Sequence, residues 1–441
     1  MSSSAPSPHR KLLHSLLYWA VQRCRMSESP CRLTTSIKRS ADPASPLLLR
    51  ISVSDTGVGS KLEEFLELDV LARETSVEKW DGALLITTTG IDDDAIYRYQ
   101  INLRDEISSA RFTKLATTYK NHARFSGTEV CLCLSNEDDV DDFILWLVGY
   151  FNKILVLRAP NLACELFIEQ TGNAESRNAC LAQDSADVHP SVMASSIDQL
   201  VSGLKNFALS HGNTCNKDFL KIGTGAANNV DRRKAKGLHV EVVIVIAHTA
   251  SDSNCWMLNC SSTQVLCFED FVPCPISQSS FDVLTSIDWQ SYGFKLKGGF
   301  MGDEGNAILE WDNMTFARVD IAIHTYHGSQ QDRYLVRKAL KSALSHLKAD
   351  HAGHFLSCHG QKVREYVPDL AESIAGLIMS SNDKEFQDEC IALLQLGSQQ
   401  EVSEGAVRSS VHEKMVRIIE MNDTKENKLD EDSQLDGDED M

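Results

Sequence analysis

The stretch Asp55-Thr56-Gly57-Val58-Gly59 follows directly on a strand-like run at 47–54, Leu-Leu-Leu-Arg-Ile-Ser-Val-Ser. An aspartate and two glycines at the end of a strand are one way of placing a carboxylate at a pocket. Gly57 and Gly59 would let the backbone adopt positive φ or approach a ligand closely. The Asp55 carboxylate would accept hydrogen bonds, the property needed to recognise the exocyclic amine of an adenine. The motif alone also fits a surface turn, so the rest of the chain decides between the two interpretations.

The composition is that of a protein with ordinary hydrophobic cores. The chain has 441 residues, 42% hydrophobic and 24% charged, which is enough for two or three domains. No apolar run approaches the roughly 20 residues of a membrane helix, so we expect no membrane partner. Thirteen cysteines without a CxxC pair indicate reduced thiols in a cytosolic or nuclear protein. The net charge of −19 argues against DNA binding by the whole surface, but it is compatible with a local basic face.

Hydrophobic periodicity predicts both helices and strands before residue 165. Residues 11–25 are predicted to form a helix whose apolar stripe holds Leu12, Leu16, Trp19 and Ala20. Arg23 and Arg25 lie near its end. Further helices are predicted at 61–71 and 141–157, and strands at 47–54, 83–88, 95–103 and 128–134. The turn-rich stretch 27–45 is expected to be irregular.

Beyond residue 165 the hydrophobic pattern loosens and then returns. Small and polar residues dominate 166–236, which is predicted to be a loose connector with one helix at 196–210. The almost continuous apolar run 239–246 predicts a strand covered on both faces. The strands predicted after it lie at 256–259, 264–268 and 317–325, with a helix at 280–287.

From residue 332 the chain is predicted to be helical. Leucines and alanines at helical spacing form an apolar stripe, and basic residues line the other side: Arg333, Arg337, Lys338, Lys341 and Lys348. Later helices are predicted to begin near Pro368, Asp383 and Glu404. The last twenty residues are strongly acidic and are predicted to be disordered.

Three short segments carry a family resemblance. They are Asp55-Thr56-Gly57-Val58-Gly59, Gly127-Thr128-Glu129-Val130 and Asp288-Trp289-Gln290-Ser291-Tyr292-Gly293. In this order, over residues 11–350, they resemble the B subunit of topoisomerase VI, a member of the GHKL ATPase superfamily. The third is similar to the Asp-Trp-x-x-Tyr-Gly segment of that subunit's transducer domain. Within the family, the chain is most similar to the plant meiotic B-like members.

The resemblance implies an α+β fold. A GHKL (Bergerat-type) α/β sandwich would be followed by a transducer domain, a ribosomal-protein-like α+β unit, and by a C-terminal helical region. The implied domains are 1–165, degenerate GHKL ATPase-like; 166–236, connector with a short helix; 237–330, transducer-like; 331–421, long basic helix and partner-binding helices; and 422–441, acidic disordered tail.

The residues with which the superfamily hydrolyses ATP are missing from the matching positions. The first helix of the superfamily carries a glutamate that activates water and an asparagine that holds Mg²⁺. Here the first acid is Glu28 and the first asparagine is Asn102, both beyond the helix at 11–25. The glycine-rich lid is reduced to one glycine within 78–86, and 325–334 contains no switch lysine. We therefore predict no catalytic residue, no ATP or Mg²⁺ cofactor and no metal site.

Only the adenine-facing end of the nucleotide site would survive, as a vestige. The cofactor-binding residues that remain are Asp55, Gly57, Gly59 and Thr128. We expect Asp55 to cap the following helix or to stabilise its own turn.

The resemblance implies that the function lies in protein contacts, because the transducer helix of the B subunit carries the link to the A subunit. The residues predicted to bind this partner are Leu335, Leu340, Leu344 and Leu347. Two alternatives remain open for this helix: its basic side could lie along DNA, or part of its leucine stripe could pack within the chain. The expected partners are topoisomerase VI A-like meiotic transesterase subunits, as a heterodimer, with this chain as a homodimer in a heterotetramer. DNA would be reached indirectly or through local basic patches, in the nucleus.

The leading hypothesis is a non-catalytic subunit that assembles the A-like transesterases for the DNA double-strand breaks that initiate meiotic recombination. The first alternative is an unconventional ATP-binding or ATP-hydrolysing gate subunit of a type II topoisomerase. A second is an unrelated nuclear scaffold. A zinc site with His351, His354 and Cys358 is less favoured than polar residues after a helix, because a fourth convergent ligand is not identified.

Overall fold

The chain folds into two α+β domains and a C-terminal helical region. This computed structural model describes residues 7–39, 48–75, 77, 79–105, 112–135, 140–170, 177–182, 195–211, 220–228, 238–247, 262–302, 306–312, 318–326, 332–351, 355–396 and 403–435. Within these ranges no helix combines the length and the apolar character needed to cross a membrane.

The first domain contains a mixed sheet of nine described strands. They are β1 (Cys31–Arg39), β2 (Leu48–Asp55), β3 (Ala83–Thr89), β4 (Ala95–Asn102), β5 (Phe112–Lys114), β6 (Thr118–Tyr119), β7 (Gly127–Ser135), β8 (Leu162–Gln170) and β9 (Arg177–Ala182). Their order is β5-β4-β3-β7-β2-β1-β8-β9, with β6 paired to β4. Strands β1 and β8 run parallel, whereas β1 and β2 are antiparallel. Every second residue of β7 is buried, so one face of the sheet is well covered.

Helices cover this sheet and share one core with it. They are α1 (Pro8–Arg25), α2 (Asp69–Glu74), α3 (Val140–Leu157) and α4 (Ser196–His211). Helix α1 has Pro8 in its first turn and buries Leu12, Leu16 and Ala20. The helices predicted at 11–25, 141–157 and 196–210 are confirmed, and the one predicted at 61–71 is a 3₁₀ turn, Glu63–Leu68, followed by α2.

The prediction of an irregular stretch at 27–45 is wrong for β1, which lies inside the sheet between β2 and β8. Cys31, Leu33, Thr35 and Ile37 are buried at alternate positions. The serine and threonines of this strand are typical of turns, but threonine also fits a pleated, half-buried surface.

The second domain contains a sheet of seven described strands. They are β10 (Leu220–Asn228), β11 (His239–Ala247), β12 (Ser262–Glu269), β13 (Val272–Cys274), β14 (Leu296–Met301), β15 (Ala307–Trp311) and β16 (Arg318–Tyr326). Their order is β10-β11-β16-β12-β15-β14, with β13 paired to β12. Helices α5 (Gln278–Ser286) and α6 (Arg333–Asp350) complete the domain, and a 3₁₀ turn, Trp289–Tyr292, lies between α5 and β14.

Strand β11 is buried on both faces, as its continuous apolar run predicts. Val242 and Ile244 lie in the core of the second domain, whereas Val243 and Val245 lie in the core of the first. One face of the second sheet therefore packs against the first domain.

The strands predicted at 264–268 and 317–325 and the helix at 280–287 are confirmed as β12, β16 and α5. The strand predicted at 256–259 lies outside the described residues, and β12 forms its hairpin with β13 instead. Strands β14 and β15 were not predicted, since Gly298 and Gly299 weaken the strand pattern of β14.

The prediction of a loose connector at 166–236 is wrong where the structure describes this segment. Strands β8 and β9 continue the first sheet, and β10 is an edge strand of the second. The small residues of β10 have a packing role, because a Cβ atom at Gly223 or Gly225 would collide with backbone oxygens of α6. The glycines that suggested a linker allow α6 to lie close to the sheet.

Among the described residues, four helices follow the second domain: α7 (Cys358–Glu365), α8 (Val367–Ser380), α9 (Lys384–Leu393) and α10 (Glu404–Leu435). The predicted helix starts near Pro368, Asp383 and Glu404 are confirmed, and the Asp383 side chain caps α9. Ala375 of α8 and Val407 of α10 lie in a small core of their own.

The prediction of a disordered tail at 422–441 is wrong as far as Leu435, because α10 continues to that residue. Its last turns are rich in lysine, glutamate and leucine, which are good helix formers despite the acidic total. Residues 436–441 lie outside the described residues. The predicted fold class is confirmed: an α/β sandwich, a second α+β domain and a helical region.

Candidate functional site

The glycine-rich turn closes on itself at the end of β2. Asp55 is 3% exposed, and its Oδ1 accepts a hydrogen bond from the Gly57 amide at 3.0 Å. It pairs in register with Thr128 of β7, so the two predicted motifs meet. The Thr128 hydroxyl lies 2.9 Å from the hydroxyl of Thr88 and forms a hydrogen bond with it. The carboxylate therefore stabilises its own turn, one of the two roles expected for it.

A buried arginine donates hydrogen bonds to the other oxygen of this carboxylate. Arg23, 2% exposed in the last turns of α1, donates to Asp55 Oδ2 from Nε at 3.0 Å and from Nη2 at 2.7 Å. Its Nη1 donates to Glu64 Oε1 at 2.8 Å. Glu64 also accepts a hydrogen bond from the hydroxyl of Ser60. Arg23, Asp55 and Glu64, here called the arginine triad, satisfy one another inside the protein.

Burial raises the pKa of Asp55, and the positive charge of Arg23 opposes that shift. Separating this arginine from the two carboxylates would leave uncompensated charge in a dry site. Breaking a buried ion pair in this way typically costs about 3–5 kcal/mol. The three side chains of the triad are therefore expected to stay paired in the folded protein.

The two glycines of the turn are packed against the chain's own backbone. A Cβ atom at Gly57 would lie 2.5 Å from the carbonyl carbon of Arg23. Gly59 has a φ of 89°, and a Cβ atom there would lie 2.7 Å from the Thr89 oxygen. The close approach that glycine permits is used here by α1 and β3.

The region where a phosphate lid is expected is also closed by protein groups. Gly82 has a φ of 84°, and its open side faces the side chain of Arg104. Arg104 donates hydrogen bonds to the carbonyl oxygens of Thr75 and Trp80. Trp80 is itself buried and donates from Nε1 to Ala83 O at 3.1 Å. Protein groups therefore fill the space beside Gly82.

Sequence reasoning missed Arg23 and Glu64. Arg23 was interpreted as a cation that complements the end of a helix. The available signal was its position on the apolar stripe, three residues after Ala20 and seven after Leu16. A charged residue at a core position needs a buried counter-ion, but its sequence position does not identify that partner.

A second group of contacts joins α1 to the second domain. Gln22 Nε2 donates to Asp270 O at 3.0 Å, and His14 Nε2 lies 3.0 Å from Pro273 O. The Arg25 guanidinium lies 4.1 Å from the centroid of the Phe271 ring. Since Arg23 belongs to the same helix, α1 links the triad to the β12–β13 hairpin.

His324 of β16 lies beneath this contact. Its Nε2 accepts a hydrogen bond from the Phe271 amide at 3.3 Å, which requires an unprotonated nitrogen. Burial lowers the pKa of His324 to about 3, and positive charge on Arg25 and His239 acts in the same direction. The interface therefore contains a neutral histidine ring.

The leucine stripe of α6 faces into the second domain. The residues predicted to bind a partner, Leu335, Leu340, Leu344 and Leu347, all belong to its buried core. Their assignment to partner binding is wrong in this fold, because β10 and β11 occupy the apolar side of α6. The intramolecular alternative holds for this stripe, and the basic side of the helix faces outward.

No group of three metal-ligating side chains is found within the described ranges. His354 lies outside those ranges, as does the side chain of Cys358, so the three-ligand arrangement considered from the sequence has no described geometry. His346 instead forms a hydrogen bond through Nδ1 with Thr224.

Two family models match consecutive parts of the chain. Residues 197–351 match the MTOPVIB middle domain, and residues 359–424 match the Meiotic topoisomerase VIB-like C-terminal domain. Together they cover half of the chain. No curated protein matches it.

Solved structures that are similar to this chain include two gyrase B proteins and a DNA repair protein. The 43K ATPase domain of Thermus thermophilus gyrase B, in complex with an aminocoumarin, is 10% identical at a TM-score of 0.41, over 96% of this chain and 92% of that chain. The B-subunit of the DNA gyrase from Myxococcus xanthus is 10% identical at a TM-score of 0.39, over 72% of this chain and 79% of that chain. The N-terminal domain of a DNA repair protein is 11% identical at a TM-score of 0.36, over 76% of this chain and 91% of that chain.

Proposed function

The chain belongs to the meiotic topoisomerase VI B-like family, and on that premise we propose that it is a non-catalytic B-like subunit. It assembles topoisomerase VI A-like transesterases, as a heterodimer, for the DNA double-strand breaks that initiate meiotic recombination. The tyrosine that attacks DNA belongs to the partner. The proposed site of action is the nucleus.

The arginine triad is the observation that carries this proposal. In a nucleotide site, the aspartate after β2 would accept a hydrogen bond from adenine. Here both Asp55 oxygens already accept hydrogen bonds within the chain, from Gly57 and from Arg23. The helix that would carry the water-activating glutamate and the Mg²⁺-binding asparagine has neither residue. Nucleotide would have to displace a buried ion pair without gaining a metal or a general base.

The contact with the A-like subunit is proposed for the C-terminal helices, because the leucines of α6 are covered. Leu370 and Leu377 share one exposed side of α8 with Tyr366, the residue just before the helix, at spacings of four and seven residues. Phe386 and Leu393 are exposed seven residues apart on α9. Clusters of exposed aromatic and aliphatic side chains are typical of interaction sites. These helices lie within the match to the family's C-terminal domain.

Co-purification with the A-like subunits tests the proposed contact. Leu377 is 69% exposed, and Leu377→Glu should reduce recovery of the partner at least tenfold, since it places a charge in the interface. Leu145→Glu is the matched control, because Leu145 is 70% exposed on α3 of the first domain. Normal recovery with Leu377→Glu, or equal loss with both variants, would contradict this contact.

A further inference from the structure

The outer side of α6 carries the most concentrated positive charge of the described helices. Arg333, Arg337 and Lys341 follow one another every four residues, and Lys338 lies beside them. Arg333 and Lys338 are exposed, and Arg337 and Lys341 are half-exposed. The first acid of the helix is Asp350, at its end. A chain of net charge −19 therefore presents an unbroken basic row, here called the α6 basic face.

The orientation of this face is fixed by packing. Leu340 and Leu344, on the opposite side of α6, are buried in the second core. The arginine nearest the middle of the row, Arg337, donates from Nη2 to Ser286 Oγ at 2.8 Å. The helix cannot rotate its cations inward without removing its leucines from that core.

The charge of the α6 basic face is not neutralised by the described parts of the chain. No described carboxylate lies within ion-pair distance of Arg333, Lys338 or Lys341, and the partner of Arg337 is a neutral hydroxyl. Lys348, further along α6, is different, since it is buried and pairs with Asp423 at 2.8 Å. The face thus differs from the solvated ion-paired surfaces elsewhere in the protein.

We propose that the α6 basic face binds the phosphate backbone of duplex DNA. Eight residues of helix span about 12 Å, so cations recur about every 6 Å along the row. One DNA strand presents a phosphate about every 3.4 Å of its axis, so the row meets several phosphates at once. Tyr334, exposed between the cations, adds a hydroxyl of the kind that bonds to phosphates. A protein partner would require apolar anchors at its centre, and the row has no aliphatic side chain on its outer side.

Salt-dependent binding of a short fluorescein-labelled DNA duplex to the full-length chain tests this proposal. The triple variant Arg333→Gln, Lys338→Gln, Lys341→Gln should bind the duplex more weakly. Its slope of log affinity against log salt should be shallower by roughly 2.7, because each lost phosphate contact removes about 0.9. The matched control is Lys362→Gln, Lys384→Gln, Arg408→Gln, which removes three exposed cations from α7, α9 and α10. The control should keep the wild-type slope.

In the DNA-binding assay, three outcomes would overturn the proposal: no duplex binding by the wild type, an equal loss in both triple variants, or displacement of the duplex by poly-glutamate at equal charge concentration. The third would indicate an acidic protein partner. The proposal is independent of the A-like contact, so the α6 triple variant should recover the A-like subunits normally. Loss of that recovery in the α6 variant would also overturn it, since the face would then bind protein.

Discussion

Arg23 reaches from the last turns of α1 to two buried carboxylates, those of Asp55 and Glu64. Replacing it by alanine would leave Asp55 and Glu64 buried without their cation. Arg23→Ala should therefore lower the free energy of unfolding by about 3–5 kcal/mol. Arg32→Ala is the control, because Arg32 pairs with Glu165 at an exposed site and should cost less than about 1 kcal/mol. Urea unfolding of both variants checks this, and equal small losses would mean that the triad is not a coupled unit.

His324 gives the protein a defined pH dependence. Its pKa is about 3 in the folded state and 6.5 in the unfolded chain, so between these values the unfolded state binds more protons. Its contribution to stability is complete above pH 6.5 and is lost as the pH falls towards 3, by roughly 1.4 kcal/mol per pH unit. Urea midpoints at a series of pH values should fall less steeply in His324→Gln than in the wild type. Parallel curves for the two proteins would contradict the assignment.

The sequence predicts part of the candidate site and not the rest, for a physical reason. Asp55 and Thr128 lie together because one motif ends β2 and the other begins β7, which pair in register. The assignment of Asp55, Gly57, Gly59 and Thr128 to a vestigial cofactor site stays a prediction. The arginine triad depends on a contact between residues 23 and 55 and a second between 23 and 64. Such pairings are set by how a helix lies on a sheet, and local periodicity contains no information about them.

At the scale of elements, Asp423 fastens the C-terminal helix α10 to the second domain. It pairs with Lys348, accepts a hydrogen bond from the Ser357 amide at 3.0 Å, and also contacts the Ser357 hydroxyl. Burial acts to raise the pKa of Asp423, but hydrogen bonds from Lys348 and Ser357 outweigh it and lower that pKa. The contact is therefore complete above the unfolded value of 3.8 and is lost as the pH falls through the lower, folded value.

Asp423→Ala should release α10 from the second domain, because Lys348 would remain buried without its counter-ion. Hydrogen exchange measured by mass spectrometry should increase at least tenfold in peptides from the middle of α10, with little change in β11. Asp388→Ala, at an exposed position of α9, is the control and should leave both regions unchanged. Unchanged protection of α10 in Asp423→Ala would show that its other contacts suffice.

Helices with one clear hydrophobic period, and a strand with a continuous apolar run, were predicted best. Helices α1, α3 and α6 and strand β11 agree with their apolar patterns. Strand β1 was missed because its serine and threonines also favour turns, and β10 because its inward positions hold glycine and alanine. In β10 these small residues are explained only by α6, which is more than a hundred residues away in sequence.

At the scale of the whole molecule, the two α+β domains pack against each other. Strand β11 contributes to both cores, and α1 contacts the β12–β13 hairpin through His14, Gln22 and Arg25. The same helix holds the triad. Helix α1 and strand β11 thus join the triad to both domain cores, and the A-like partner is proposed for the C-terminal helices.

The central claim is that this B-like chain works without ATP, and measurement of Mg²⁺-ATP binding and hydrolysis by the purified full-length protein tests it most directly. We predict no saturable binding of labelled ATP and no phosphate release above that of a protein-free control. The Asp55→Ala variant should give the same two results. Phosphate release by the wild type that disappears in Asp55→Ala would contradict the account and favour an ATP-driven gate.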